Sequence, residues 1–529
     1  MIPLLQTSLV LALAACAVRA ATIDEATSAC SSIPKPHVEG ARVVSIASRL
    51  ISNGTVLSSS PTLNYDVYNI NVCEVNVTLS HPEAKDSVLV QTWLPVKNWN
   101  NRFAAIGGGA WLAGQGAIDL AVPATQGYAV SSTDAGLTNA NPGTPAGWAL
   151  TLDGSVNIPL LTNFASQSIH DMAVVGKAVT SSFYGRQPKH SYWNGCSTGG
   201  RQGLVAAQQY PYDFDGISAG APAAYWTQYV VAELWPQVVM REANYYPLPC
   251  EFRTIVARAV EACDTKDRVK DSVITDPFSC TFDPFSLVGT QFQCDDGVNL
   301  TVTAKTAAIV RKIWDGPKSS KGVSLWSGMP IGSRLDIVAG TQPVNGTNGP
   351  KPFFLAEEWV QFFVKRDPKF NVGALTATDF EKIFAESYSK FDNLIGSANP
   401  DLSVFKASGG KLLVWHGLAD QLIYPQDSIK YLKEVEHKLG GRDHTGQFFR
   451  LFLAPGVDHC AYGAAGAAPI DPLAAVVSWV EDGIAPDMLK GETPANAPTH
   501  FTRKICRYPL QPKYRGCGST AIAESYSCL

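Results

Sequence analysis

The 529-residue sequence lacks several features that mark particular protein classes. It has no long run of lysine and arginine, and a net charge of −4 with a pI near 6.2 offers no basic surface for nucleic acid or anionic membranes. After the first twenty residues, no stretch reaches the ~18 continuous apolar residues that a membrane span needs. No low-complexity segment or fibrous repeat occurs. We therefore expect a globular protein without nucleic-acid or membrane partners.

Metal-cluster cysteine patterns are also absent. None of the twelve cysteines forms a CxxC pair or lies at zinc spacing with histidines, so disulfides are favoured over metal clusters. Cys16 lies in an N-terminal apolar segment, and the remaining eleven cysteines are an odd number. One thiol should therefore stay unpaired in an otherwise disulfide-bonded, exported protein.

The N-terminus carries the pattern of a secretory signal. The apolar run 9–17 is followed by Val18-Arg19-Ala20, which predicts a signal peptide over residues 1–20 with cleavage before Ala21. A buried N-terminal helix is the alternative interpretation. Four N-glycosylation sequons agree with a secreted, extracellular protein, and they begin at Asn53, Asn76, Asn299 and Asn345.

The periodicity of the remaining chain predicts an α/β fold with a largely parallel sheet. Strand patterns cover 63–78, 87–94, 102–106, 191–194, 411–415 and 447–453, and helical patterns cover 169–183, 201–209, 427–439 and 471–481. Between about 226 and 400 this alternation is lost. The sequence therefore predicts a catalytic domain over 21–225 and 401–529, interrupted by an insertion at the carboxyl ends of the strands.

Two G-x-S-x-G strings compete for the role of a nucleophile elbow, the strained strand-to-helix turn that exposes a reactive serine. The string around Ser197 follows a predicted strand and precedes a good helix. The string around Ser218 is followed by Ala221-Pro222, which continues a helix poorly. Ser197 is therefore the preferred nucleophile, and Ser218 is the rival.

A serine nucleophile needs a histidine base and an orienting carboxylate. His459 lies in a loop between a strand and a helix, whereas its rival His416 ends a strand and suits a hydrogen-bonded structural role. Asp420 lies between serine and histidine in chain order, as α/β-hydrolases require. Asp458 is adjacent to His459 in sequence, so it is badly placed to orient the imidazole and is interpreted as structural or as a helix N-cap.

Cysteines flank both halves of this candidate site. A disulfide between Cys196 and Cys460 would hold Ser197 beside His459, although simple stabilisation of a secreted fold is an equally valid role. The oxyanion of acyl transfer also needs N–H donors. We expect these from Thr198, directly after the nucleophile, and from Gly109 in a glycine turn that follows a buried strand; a plain tight turn is the alternative there.

At this point the chain resembles the tannase and feruloyl esterase family. The resemblance covers nearly the whole mature chain and rests on the segments 94–103, 195–203 and 214–217, on Asp420 with Ile423, and on 456–460. It implies an α/β-hydrolase fold, a triad of Ser197, Asp420 and His459, the bridging pair of Cys196 and Cys460, and a lid domain over 226–400.

The resemblance also implies a structural Ca²⁺ site in the insertion and no organic cofactor. Its oxygen ligands would be the side chains of Asp264, Asp267 and Asp271 and the carbonyls of Val269 and Val273. Arg268 and Ser272 replace the customary glycines of the family, and a solvated acidic loop is the alternative. Further disulfides are expected for Cys263 with Cys280, Cys250 with Cys294, Cys30 with Cys73, and Cys506 with Cys528, which leaves Cys517 as the odd thiol.

The resulting hypothesis is a secreted serine carboxylic ester hydrolase that releases hydroxycinnamic acids, such as ferulate, from small phenolic esters or feruloylated polysaccharides. The alternatives are a tannase that hydrolyses galloyl esters, and a non-catalytic binding protein with a hydrolase fold. Lys365-Arg366 is either a dibasic processing site or an intact surface pair. The sequence does not indicate an oligomeric state.

Overall fold

A nine-stranded mixed sheet forms the centre of the computed structural model, which describes residues 23–58, 66–114, 116–137, 143–463, 465–495, 497 and 499–529. The strands are β1 (Arg42–Val56), β2 (Val67–Ser80), β3 (Val88–Pro95), β4 (Arg102–Ile106), β5 (Ala129–Thr133), β6 (His190–Cys196), β7 (Gly216–Gly220), β8 (Gln291–Gln293), β9 (Asn299–Thr301), β10 (Thr341–Val344), β11 (Thr347–Pro350), β12 (Lys411–Gly417), β13 (Phe449–Ala454), β14 (Ala468–Pro469), β15 (Met488–Glu492), β16 (Thr502–Cys506), β17 (Pro512–Tyr514) and β18 (Tyr526–Cys528).

The strand order of the large sheet is β1-β2-β3-β5-β4-β6-β7-β12-β13. Neighbours from β1 to β5 pair antiparallel, and every pair from β5 to β13 is parallel. The parallel half requires crossover connections, which helices supply. The α/β architecture expected from the sequence is therefore confirmed.

Helices cover both faces of this sheet. They are α1 (Ile23–Ser31), α2 (Ala117–Thr125), α3 (Ile158–Thr162), α4 (Ser168–Tyr184), α5 (Thr198–Gln209), α6 (Trp226–Ala232), α7 (Trp235–Glu242), α8 (Pro249–Asp264), α9 (Ala304–Asp315), α10 (Phe354–Glu358), α11 (Ala377–Ile395), α12 (Ser403–Ala407), α13 (Pro425–Lys438), α14 (Arg442–Thr445) and α15 (Pro472–Glu481). Successive side chains of β12 point to opposite faces of the sheet. Leu412 packs in the hydrophobic core beneath α4, α5 and α13, and Leu413 packs in the core beneath α2 and α15.

The segment 226–400 contributes helices and short hairpins but no strand of the large sheet, whose strands all come from 42–220 and 411–454. Its tryptophans Trp226 and Trp359 are fully buried and pack against Trp111 of the preceding segment. These two tryptophans of the insertion are thus core residues.

Most predicted elements occur with small changes at their ends. The strand predicted over 102–106 is β4, and the helix predicted over 169–183 is α4. The predicted helix over 201–209 begins earlier, at Thr198, because α5 starts directly after Ser197. The residues of the predicted signal peptide lie outside the described part of the chain. No helix among the described residues is long and apolar enough to cross a membrane.

Five disulfides link the pairs Cys30–Cys73, Cys196–Cys460, Cys250–Cys294, Cys263–Cys280 and Cys506–Cys528. These are the pairs expected in the sequence analysis. Cys517 is free and exposed, so the prediction of one unpaired thiol is also confirmed.

Candidate active site

Ser197 occupies a sharp turn between the end of β6 and the start of α5. Its backbone angles, φ 65° and ψ −120°, place a non-glycine residue in a region that side chains rarely adopt. The Ser197 N–H donates to the carbonyl of Gly220 at 2.9 Å, which fixes the turn to the neighbouring strand β7. The serine side chain is half-buried rather than enclosed. This geometry is that of a nucleophile elbow.

The glycines around the turn are required by close backbone packing. A Cβ on Gly195 would lie 2.7 Å from the carbonyl carbon of Gly199, and a Cβ on Gly107 would lie 2.5 Å from the Cα of Gly199. Both contacts are with backbone, which cannot move aside as a flexible side chain could. The elbow therefore depends on glycine at these positions.

The glycine turn after β4 packs directly on the elbow. The Gly199 N–H donates to the carbonyl of Gly108 at 2.9 Å, and the Thr198 hydroxyl donates to the carbonyl of Ala110 at 2.8 Å. The Gly107 and Gly108 N–H groups are engaged by the Asn194 carbonyl and by Gln202 Oε1. Within the described residues the Gly109 N–H has no acceptor, so it remains available near Thr198.

His459 and Asp420 form a buried hydrogen-bonded pair. Nδ1 of His459 lies 2.8 Å from Asp420 Oδ2, and the His459 backbone N–H donates to Gln421 Oε1 at 3.1 Å. The other oxygen of Asp420 accepts the N–H groups of Leu422 and Ile423, both at 2.9 Å. Burial tends to raise the pKa of Asp420, but the charges and hydrogen bonds of His459 and His416 lower it overall. The carboxylate is thus ionised and fixed.

His416 also contacts this carboxylate. Its Nε2 lies 2.8 Å from the carbonyl of Ile423 and 3.2 Å from Asp420 Oδ2, and its Nδ1 lies 2.8 Å from the Ser428 hydroxyl. A carbonyl can only accept, so Nε2 of His416 carries the proton. His416 is therefore a buried structural histidine, as expected, but its contact with Asp420 could not be read from the sequence.

The Cys196–Cys460 disulfide joins the two halves of the site. Its Cα atoms are 6.0 Å apart across a sequence separation of 264 residues. Ser197 follows one cysteine and His459 precedes the other, so the bond holds the elbow and the histidine loop in adjacent positions. Asp458 accepts the Gly463 N–H and makes no hydrogen bond to the His459 ring among the described residues, in agreement with a structural role.

Ser218, the rival nucleophile, lies in the middle of β7. Its side chain is fully buried, and its hydroxyl has no hydrogen-bond partner among the described residues. A serine inside a central strand cannot meet a substrate. The structure therefore separates the two strings clearly.

Two buried carboxyl groups near Asp420 were not found by sequence reasoning. Burial raises the pKa of Glu233 and of Asp427 well above the usual range, and the charge of Asp420 raises both further. Both oxygens of Glu233 lack a hydrogen-bond partner in the described residues. No local sequence signal distinguishes these two acids from surface carboxylates, because their burial depends on packing between segments that are distant in sequence.

The predicted calcium loop forms a tight turn around Asp264. Its carboxylate accepts the N–H groups of Asp271 and Ser272, each at 3.1 Å, and Arg503 contacts Asp271 Oδ2 at 2.5 Å. Arg268 and Ser272, at the glycine positions of the family, both adopt left-handed backbone angles with φ of 70° and 63°. Over the described ranges, no three His, Cys, Asp or Glu side chains are grouped as a metal site.

Two remaining carbonyl ligands expected in this loop, those of Val269 and Val273, belong to buried residues. Their N–H groups donate to the carboxylates of Asp267 and Asp271 respectively. The loop therefore holds its acidic side chains by backbone hydrogen bonds from within its own sequence.

The four sequon asparagines differ in exposure. Asn53, Asn299 and Asn345 are exposed, whereas Asn76 is half-buried in β2 between two neighbouring strands. At the dibasic pair, Lys365 bonds to Glu386 and Arg366 is exposed at the end of a π-helical turn.

Comparison with known proteins identifies the family. The family model described as "Tannase and feruloyl esterase" matches residues 73–529. A probable feruloyl esterase from Arthroderma benhamiae is 45% identical over 503 residues, covering 94% of this chain and 93% of that protein. The probable feruloyl esterase B-1 of Aspergillus terreus is 31% identical, with coverage of 84% and 83%.

Solved structures agree with the sequence comparison. The tannin acyl hydrolase from Aspergillus niger superposes with a TM-score of 0.85 at 27% identity, covering 95% of this chain and 94% of that chain. Feruloyl esterase B from Aspergillus oryzae superposes with a TM-score of 0.79 at 26% identity, covering 95% and 100%. The protein therefore belongs to the tannase and feruloyl esterase family and is a carboxylic ester hydrolase.

Proposed function

We propose that the protein hydrolyses hydroxycinnamic acid esters, such as feruloyl esters, through an acyl-enzyme on Ser197. The observation that carries this proposal is the arrangement of elbow, disulfide and buried Asp420–His459 pair. A serine hydroxyl is a weak nucleophile until a base accepts its proton, and His459 is the only candidate base beside the elbow in the described chain. Asp420 supplies the orienting carboxylate.

The steps follow from these positions. His459 takes the proton of Ser197 as the hydroxyl oxygen attacks the ester carbonyl, and returns it to the leaving alcohol. A water molecule, activated by the same imidazole, then releases the acid from Ser197. The developing oxyanion would accept hydrogen bonds from the N–H groups of Thr198 and Gly109. Asp420 holds the Nδ1–H tautomer throughout and stabilises the imidazolium.

The fold that this mechanism implies is an α/β-hydrolase with a lid. Counted from β2 in chain order, the second strand of the sheet is β3, which runs antiparallel to both of its neighbours. The fifth strand is β6, and Ser197 follows it directly. Both features support that assignment. The helical segment 226–400 would be the lid domain, since α6 starts shortly after Ala223, whose N–H donates to the carbonyl of Ser197. The lid would then shape the acyl pocket.

The preference for feruloyl esters rests on the relatives named feruloyl esterase, of which one is 45% identical to this chain. The tannase alternative is favoured by a different observation, the higher TM-score of 0.85 with the tannin acyl hydrolase. Both activities use the same triad, so the acyl group alone separates them.

The test compares hydrolysis of methyl ferulate, methyl p-coumarate and methyl gallate by the purified protein, with Ser197→Ala as the background control. We expect the two cinnamates to be cleaved with the higher kcat/KM. Preference for the gallate would replace the feruloyl assignment by a tannase. If none of the three is cleaved, the proposal is refuted, and hydrolysis of another class of ester or a binding function becomes the better hypothesis.

We also propose a structural Ca²⁺ ion held by Asp264, Asp267, Asp271 and the carbonyls of Val269 and Val273. Oxygen donors of this kind suit Ca²⁺, and the left-handed turns at Arg268 and Ser272 keep the loop compact without glycine. Binding would require Asp271 to share its carboxylate with Arg503. The ion would stabilise the loop and take no part in the reaction.

Metal analysis of the purified protein and thermal unfolding with Ca²⁺ or EGTA test this site. We expect one bound calcium and a lower Tm in EGTA, with both effects lost in Asp264→Asn. A metal-free protein whose Tm does not respond to Ca²⁺ would contradict the proposal.

We further propose that the protein is secreted and glycosylated at its sequons. Five disulfides and the exposure of Asn53, Asn299 and Asn345 support this route. Asn76 is the least accessible of the four. Expression in a secreting fungal host, followed by N-terminal sequencing and glycopeptide mapping, tests cleavage before Ala21 and occupancy of each sequon.

A further inference from the structure

A polar cleft of about 580 Å³ opens where α5, α11 and α13 meet. It is separate from the elbow: Gln208 lies eleven residues after Ser197 along α5, which corresponds to roughly 16 Å at the helical rise of 1.5 Å per residue. The residues that line it include Gln209, Gln228, Tyr388, Asp392, Asn393 and Glu434. They come from both the catalytic segments and the insertion.

The floor of this cleft is fixed by hydrogen bonds between elements. The Tyr225 hydroxyl donates to Glu434 at 2.6 Å, and the Thr227 hydroxyl donates to Asp392 at 2.6 Å. Gln208 Nε2 donates to the carbonyl of Ser397 at 2.7 Å. The two carboxylates therefore have set positions before any ligand arrives, which lowers the entropic cost of binding.

Other polar groups in the cleft are uncommitted. The side-chain amides of Gln209, Gln228 and Asn393 make no hydrogen bond to any described residue, although Gln228 is half-buried. Each amide offers both a donor and an acceptor. Tyr388 exposes 50% of its surface at the same site and provides an apolar ring face. The cleft thus combines amides, fixed carboxylates and an exposed aromatic ring.

We propose that this cleft binds a neutral polysaccharide chain, such as the pentose backbone of a feruloylated hemicellulose. Paired donors and acceptors match the vicinal hydroxyls of a sugar ring, and an aromatic face packs against its C–H groups. Asp392 and Glu434 outnumber the one cation of the cleft, Lys430, so an anionic polymer is disfavoured. The cleft size falls within the ~300–1,000 Å³ of ligand sites.

The size of the cleft bears on the length of the ligand. A volume of about 580 Å³ is more than one sugar ring fills, so the cleft can hold consecutive rings. The ligand is therefore a chain rather than a free sugar.

The site anchors the polymer at a distance from the ester that Ser197 attacks. The choice of polymer rests on the proposed function, whereas binding itself does not. Loss of the site should raise KM for a feruloylated polymer and leave methyl ferulate hydrolysis unchanged.

The experiment uses the Gln228→Ala/Tyr388→Ala double variant, because neither side chain makes a hydrogen bond to a described residue. Tyr68→Ala, which removes another exposed tyrosine on β2, is the matched control. Affinity electrophoresis in arabinoxylan measures binding, with polygalacturonate as the anionic polymer and D-xylose as the monomer. Methyl ferulate kinetics and thermal unfolding verify that each variant is folded.

We expect arabinoxylan to retard the wild type and Tyr68→Ala equally, with affinity about tenfold lower in the double variant. Equal retardation of the double variant, no retardation of the wild type, or stronger retardation by polygalacturonate would each overturn the proposal. Arabinoxylan binding without methyl ferulate hydrolysis would refute the proposed function and keep the carbohydrate site.

Discussion

The same five-residue pattern, G-x-S-x-G, occurs in two neighbouring strands of this protein with opposite outcomes. In 195–199 the strand ends at Cys196, so Ser197 falls in the turn with φ 65°. In 216–220 the strand continues to Gly220, so Ser218 stays fully buried in the sheet. The pattern alone therefore specifies no nucleophile, and the position of the strand end decides.

The two strings also depend on each other. Gly195 lies in register with Ala219, and the carbonyl of Gly220 accepts the N–H of Ser197. The second string thus supplies the backbone that supports the first. Its glycines serve side-chain packing instead: a Cβ on Gly220 would lie 2.7 Å from the ring of Trp415.

The largest expected effect separates the two serines. Ser197→Ala should reduce kcat on methyl ferulate by up to about 10⁶-fold, since a triad without its nucleophile retains only background catalysis. Ser218→Ala should leave kcat within about twofold, because the Ser218 hydroxyl contacts neither substrate nor base. Steady-state kinetics of both purified variants measure this difference. Comparable losses of kcat in the two variants would contradict the assignment of Ser197 as the nucleophile.

The second effect concerns the carboxylate. Asp420→Asn should lower kcat by about 10⁴-fold, because an amide cannot hold the required imidazole tautomer or stabilise the imidazolium. Asp458→Asn is the matched control, since Asp458 is adjacent to His459 in sequence but bonds to Gly463. A loss in the control as large as in Asp420→Asn would show that the wrong aspartate has been assigned.

Much of this arrangement follows from the sequence, since the elbow and the cysteine pairing depend on local patterns. Strand β1 was not predicted, because none of its residues is fully buried and its sequence shows no clear apolar alternation. Strand β7 was obscured by its resemblance to an elbow. The contact of His416 with Asp420 and the burial of Glu233 depend on packing between distant segments, which no local pattern reports.

A smaller effect tests the link between the elbow and the histidine loop. The Cys196→Ala/Cys460→Ala variant should lose at least about tenfold in kcat, since small displacements of reacting groups are costly. Cys30→Ala/Cys73→Ala should lose stability, by about 2–5 kcal/mol, without loss of kcat in the folded fraction. Kinetics and thermal unfolding of both variants provide the measurement. An unchanged kcat in Cys196→Ala/Cys460→Ala would show that the Cys196–Cys460 disulfide only stabilises the fold.

The smallest expected effect concerns His81, which lies outside both G-x-S-x-G strings and affects stability rather than catalysis. An ion pair with Asp171 at 3.2 Å and a hydrogen bond to Asp86 at 2.7 Å outweigh burial and raise the pKa of His81 from 6.5 to about 9. The charged His81 therefore contributes fully to the free energy of unfolding below about pH 6.5, and this contribution is lost as the pH rises through about 9. After allowance for solvent screening of this half-buried group, His81→Gln should lower the free energy of unfolding by about 2 kcal/mol at pH 6 and by much less at pH 9.5. Urea unfolding at the two pH values measures the change; a pH-independent difference would contradict the assigned charge.

The most direct measurement of the central claim is covalent labelling with a fluorophosphonate, which reacts with activated serines. Peptide mapping by mass spectrometry then locates the adduct. The structure predicts a single adduct on Ser197, abolished in Ser197→Ala and retained in Ser218→Ala. An adduct on Ser218, or a catalytically active protein without an adduct on Ser197, would contradict the account.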